Sequence, residues 1–207
     1  MPNKPRELTT TSFAVLGLLA VQPYSAYELA KQMKRSMAFV WPAAERSVYD
    51  EPKNLLARGL VKAKTESTGM RERTVYRITP AGRKALAAWI TQDSAPPSFQ
   101  SEALLRTTFA EYGSKDDLLA TLERFRDDMA ALRAGAEVVA KSYADGEGLF
   151  PERRHIVALN GVFILDFTQL AQRWAAWAAS VVESWDDTVD PAQGAVALEE
   201  FRRRVAD

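Results

Sequence analysis

The stretch SVYDEPKNLLARGLV, residues 47–61, has the spacing of a helix and carries a proline in its interior. Val48, Leu55, Leu56 and Leu60 recur at helical intervals, and Gly59 stands where a helix stops. Pro52 removes one backbone hydrogen bond and crowds the preceding turn, at a cost of ~3 kcal/mol in a helix interior. With Val48, Pro52 and Leu55 turned inward, Arg46, Asp50 and Lys53 fall on the opposite side, flanked by Ser47 and Tyr49. Arg, Lys and Tyr suit guanine edges and phosphates. Asp50 is either an acceptor for a cytosine amine or an intrahelical partner for Arg46 or Lys53. Tyr49 has its own second reading, as an aromatic at the edge of the core.

The neighbouring segments place this helix. Residues 10–20 read as a first helix with Phe13, Leu16, Leu19 and Ala20 inward, broken by Pro23. Ser25 caps a second, SAYELAKQMKRS, with Glu28 as its capping-box partner and Leu29 and Met33 inward. Trp41-Pro42 is expected to open the third helix, proline being suited to a first turn. After Gly59 the period changes to two. LVKAKTES and RTVYRIT alternate around the polar tip TGMRE, a hairpin pattern. Thr79-Pro80 then starts a further helix, PAGRKALAAWI. Three helices, a two-stranded wing and a closing helix make a winged helix-turn-helix, whose third helix enters a DNA major groove.

Charge agrees with that order. The chain of 207 residues has no net charge, but residues 1–90 hold 15 Lys+Arg against 7 Asp+Glu, and residues 91–207 hold 12 against 20. The basic half fits a polyanion. Lys31, Lys34, Arg35, Arg46, Lys53, Lys62, Lys64, Arg71 and Arg73 would neutralise phosphates along one face.

DSAPPS, residues 93–98, reads as a linker between a domain at 1–92 and one at 99–207. Everything beyond it is helical. Ser101 caps EALLRTTFAEY, and Ser114 caps a long helix over residues 115–144. There Leu118, Leu122, Phe125, Met129, Leu132, Ala136, Val139 and Tyr143 are spaced 4,3,4,3,4,3,4, an unbroken heptad seam. It is either one face of an intrachain bundle or a seam that takes in a second chain. A second long helix spans residues 152–185, with a wide apolar face from Ile156 to Val181 that includes Trp174. ALEEFRRRVAD makes a short amphipathic tail helix.

AVLGLLAVQPYSAYELAK (14–31), SVYDEPKNLLARGLV and TVYRITPAGRKAL (74–86) with Trp89 closely resemble the PadR-type transcriptional regulators over residues 11–90. The likeness extends more loosely into ALLRTTFAEYGSKDDLLATL (103–122). It implies a mainly α fold: an N-terminal winged helix-turn-helix, and an all-α C-terminal dimerisation domain with long helices. It further implies a homodimeric repressor, bound to a near-palindromic double-stranded operator and released by a small aromatic or hydrophobic effector. In that family the residues matching Tyr27 and Tyr49, with basic residues of the wing, hold DNA. The candidate DNA-binding set is therefore Ser25, Tyr27, Lys31, Arg46, Ser47, Tyr49, Lys53, Arg71 and Arg73. The dimerisation set is Leu118, Leu122, Phe125, Met129, Leu132 and Trp174. Trp41 and Asp166 are effector candidates, against plain core packing for Trp41 and an interhelical arginine partner for Asp166. One motif departs from the family pattern. Relatives carry Tyr-Pro-x-Leu where this chain has Tyr49-Asp50-Glu51-Pro52, which predicts a kink or distorted turn over residues 48–52.

Other classes are disfavoured. No cysteine is present and His155 is the single histidine, which removes thiol chemistry and most zinc sites. No phosphate-binding glycine loop or Ser/His/Asp grouping appears, so no enzymatic activity, metal or cofactor is expected. No run suits a membrane span or a leader, and a cytoplasmic protein is expected. The remaining alternative is a dimeric helical interaction module whose winged helix binds protein rather than DNA.

Overall fold

The computed structural model describes residues 6–68 and 71–206 and divides the chain into two compact units, Met1–Pro96 and Pro97–Asp207. In the first, α1 (Thr10–Val21), α2 (Ala26–Ser36) and α3 (Glu45–Ala57) precede strands β2 (Val61–Thr68) and β3 (Arg71–Ile78) and helix α4 (Pro80–Ile90). A two-residue strand β1 (Tyr24–Ser25), between α1 and α2, also joins the sheet. The order is β1-β3-β2, all antiparallel, with Tyr24 opposite Tyr76 and Lys64 opposite Val75. The wing is thus a three-stranded sheet rather than a bare hairpin. Two extended residues ahead of a cap are too few to show periodicity, which is why the sequence hides β1.

Val15, Leu16, Leu19, Leu29, Val48, Leu55 and Val61 form the dry centre of this unit. Phe13 stacks on Trp89 with ring centroids 5.0 Å apart, fastening α1 to α4. Thr79 caps α4 by accepting from the Gly82 N–H and also donates its hydroxyl to the Gly59 and Leu60 carbonyls, at 2.8 and 3.0 Å. That places Gly82 against the chain: a β-carbon there would collide with the Leu60 carbonyl oxygen.

The third helix begins later than Trp41-Pro42. Residues 37–40 turn and 41–44 are irregular instead, and α3 starts at Glu45 with Ala44 as an N-cap that offers no side-chain acceptor. The Trp41 indole N–H donates to Thr11 Oγ1 at 3.0 Å, so this loop is engaged with α1 rather than wound into α3. Pro52 lies inside α3, which is helical without interruption from Glu45 to Ala57, so the distortion expected over residues 48–52 does not end the helix. It ends in a Schellman motif. Gly59, at φ 70°, donates to the Leu56 carbonyl and Leu60 to that of Leu55, each at 2.9 Å.

In the second unit, α5 (Glu102–Thr108) precedes α6 (Lys115–Ala144), α7 (Arg154–Glu183) and α8 (Ala195–Ala206). The segment expected as a single helix after Ser101 breaks at Phe109 into a 3-10 turn at Ala110–Tyr112. α6 and α7 form an antiparallel hairpin. Leu118 and Leu122 pack with Ala178 and Val182, and Phe125 meets Trp174 edge to face at 5.8 Å. The Lys115 ammonium donates to the Glu183 and Trp185 carbonyls at the C-terminal end of α7, where a helix attracts positive charge. No helix among the described residues is long and apolar enough to cross a membrane.

Candidate nucleic-acid interface

The N-termini of α2 and α3 carry most of the predicted contacts. Ser25 and Glu28 form a reciprocal capping box: Glu28 accepts from the Ser25 N–H at 2.7 Å and from its hydroxyl at 2.8 Å. That box holds the first turn of α2 so that Tyr27 projects outward, 65% exposed, with Lys31 exposed one turn on. On α3, Val48, Pro52 and Leu55 are buried while Arg46, Ser47 and Lys53 are exposed, the division that helical geometry predicts. Tyr49 is half-buried and packs against the core, as expected of an aromatic at its edge. Asp50 lies 4.0 Å from Arg46, one turn away, and acts as its intrahelical partner.

The wing is laced with ion pairs. Arg73 donates to Glu28 Oε1 at 2.8 Å and lies 3.7 Å from Glu66, which also pairs with Arg77 at 3.4 Å. The Arg73–Glu28 pair ties β3 to the first turn of α2. The Ser25 N–H holds the Glu28 carboxyl below the usual carboxylate range, with the Ser25 hydroxyl and Arg73 adding to the effect. Gly69 and Met70 at the tip, and the side chain of Arg71, lie outside the described residues.

Sequence reasoning missed one group near this face. Glu51, on the inner side of α3, is 5% exposed and accepts from Ser12 Oγ at 2.6 Å. Its position three residues after Val48 and four before Leu55 was the available signal, because that spacing belongs to the buried stripe.

The other candidates lie in the second unit, except Trp41 in the first. Leu118, Leu122 and Phe125 are buried within the α6–α7 hairpin, and Met129, Leu132 and Trp174 are half-buried. The first half of the heptad seam is thus filled by this chain's own α7. Apolar surface stays open further along, at Val138 and Val139 of α6 and at Leu159 (71% exposed), Val162 and Phe163 (61%) of α7. Asp166 is exposed rather than buried in its apolar run, and Trp41 is fixed by Thr11 in the α2–α3 loop. Neither lines the groove of about 310 Å³ bounded by Leu170, Arg173, Trp174 and Arg204. Arg204 also lies over the Trp177 ring, 5.6 Å from its centroid.

The transcriptional regulator PadR-like family model matches residues 15–88, from within α1 to the last turn of α4. Those residues form a PadR-like domain. The negative transcriptional regulator PadR of Bacillus subtilis is 26% identical over 133 residues, 63% of this chain and 71% of that protein. A PadR-like transcriptional regulator from Bacillus cereus superposes with a TM-score of 0.71 at 14% identity, covering 84% of this chain and 99% of its own. Bacillus subtilis PadR in complex with operator DNA gives a TM-score of 0.67 at 21% identity, with coverages of 84% and 99%. The same protein has also been solved with p-coumaric acid. The PadR-like fold thus extends past the matched domain into the helical half.

Proposed function

We propose that this PadR-like chain is a sequence-specific DNA-binding transcriptional regulator of the cytoplasm. It acts as a homodimeric repressor that leaves a near-palindromic operator when a small aromatic or hydrophobic effector binds. Residues 1–92 read DNA and residues 99–207 join the two copies. The observation that carries this reading is the outward face of α2 and α3. Tyr27, Lys31, Arg46, Ser47 and Lys53 stand exposed on two helices whose inner faces are locked in one core. Phosphate neutralisation by such cations positions a helix, and side chains at its N-terminal end then read base edges.

Dimerisation answers a shortage of information, because one helix reads few base pairs, and two copies double the site at a fixed helical spacing. The exposed Leu159, Val162 and Phe163 supply an apolar surface for it. The groove beside Trp174, with its two guanidinium groups, has room for a compact aromatic acid of the kind bound by Bacillus subtilis PadR. Salt distinguishes this function from a protein-interaction module. Binding to duplex DNA should weaken linearly in log–log form, with a slope of about −0.9 per phosphate contact. A chain that binds no duplex even at low salt would favour the protein-interaction module instead.

A further inference from the structure

Glu51 is an acid on the buried stripe of α3, immediately before Pro52. Ser12 Oγ donates to its Oε1 at 2.6 Å, Asn54 Nδ2 donates to the same oxygen at 2.9 Å, and Arg6 Nη2 lies 3.6 Å from Oε2. Ser12 belongs to the capping box of α1: its hydroxyl oxygen accepts from the Thr9 N–H at 2.9 Å while donating to Glu51. α1 has no acidic residue in its own first turn, the place where a helix favours negative charge. Glu51 supplies that charge from α3. A second tie follows at the C-cap, where Arg58 donates through Nε and Nη2 to the Arg6 carbonyl at 2.9 and 2.5 Å.

These ties act on a helix that needs them. A residue before proline is pushed away from helical geometry, and Pro52 leaves the Val48 carbonyl without its amide donor. Yet α3 is unbroken at this point. A buried carboxylate is a poor source of stability, since an apolar side chain would fill the site without a desolvation penalty. What its directional bonds do is fix one pose.

We propose that Glu51 is the positioning residue for DNA recognition: its anchor on the α1 cap keeps α3 helical ahead of Pro52 and sets the direction in which Arg46, Ser47 and Tyr49 project. The inference rests on the reading that α3 docks on DNA, so its test needs one readout with DNA and one without. Full-length Glu51→Ala, Glu51→Gln and Ser12→Ala variants are compared with the wild type. Amide hydrogen exchange at residues 48–51 reports the anchor, and fluorescence anisotropy with a selected and a scrambled duplex reports recognition.

Glu51→Ala should exchange faster at residues 48–51 while α6 and α7 are unchanged. It should lose about tenfold in affinity for the selected duplex and little for the scrambled one. Glu51→Gln, which keeps the acceptor, should recover most of that ratio. A folded Glu51→Ala with wild-type exchange at residues 48–51, or with an undiminished ratio, overturns the proposal. Should Glu51→Ala fail to fold, Ser12→Ala decides by the same two readings. A wild type without duplex preference refutes the DNA reading instead, and hydrogen exchange still decides the anchor.

Discussion

Lys53 and Arg73 are both exposed cations of the first unit, and the structure predicts opposite behaviour for them on DNA. Lys53 stands on the outward face of α3, opposite the buried Val48, Pro52 and Leu55. Arg73 is held by Glu28 at 2.8 Å and Glu66 at 3.7 Å. Replacing Lys53 by Met in a dimer removes one phosphate contact per copy. At about −0.9 per contact, the slope of log affinity against log salt should become shallower by ~1.8. Arg73→Met removes a cation already neutralised within the protein, so its slope should stay that of the wild type. Its affinity should still fall, because the wing loses its tie to α2. The assay is anisotropy of a labelled duplex across a salt series, with thermal melting to confirm that both variants are folded. A Lys53→Met slope parallel to the wild type would refute the docking face. A shallower slope for Arg73→Met would return that residue to the phosphate contacts.

Three further outcomes test the fold and its electrostatics. Gly82→Ala drives a β-carbon into the Leu60 carbonyl oxygen and should cost about 1–3 kcal/mol in urea unfolding; an unchanged midpoint would show that the α4 junction yields. Glu28 has its carboxyl pKa lowered by folding, so its stabilising contribution is present above the unfolded value and is lost as pH falls through the folded one. The stability gap between wild type and Glu28→Gln should accordingly close as pH drops below the usual carboxylate range, and a gap constant with pH would exclude the ionised cap. Leu159→Asp and Phe163→Asp alter exposed positions, so both variants should fold and sediment as monomers; a persisting dimer would put the interface elsewhere.

The winged-helix unit was legible in the sequence because its information is local. Ser25 with Glu28, Thr79 with Pro80, and Gly59 each announce a helix boundary through a neighbour no more than three residues away. Each acts in the structure as the sequence implies. What stayed hidden depends on partners remote in the chain. The pairing of β1 with β3 needs Tyr24 to meet Tyr76, and the pinning of Arg73 needs Glu28. Both are formed by folding and leave no periodic trace. Glu51 lies between these cases: its place on the inner face was readable, but its partner Ser12 was not. The heptad seam illustrates a different limit. Its spacing states that one face of α6 is apolar, not whose side chains cover it. Leu118, Leu122 and Phe125 are covered by α7 of the same chain, whereas Val139 remains open.

Selection of bound sequences from random duplex DNA tests the central claim most directly. The account predicts enrichment of a near-palindromic site whose half-sites are about one helical turn apart, lost on substitution of Tyr27 and Arg46. Recovery of an unenriched pool at a salt concentration where the protein is folded and dimeric would contradict it.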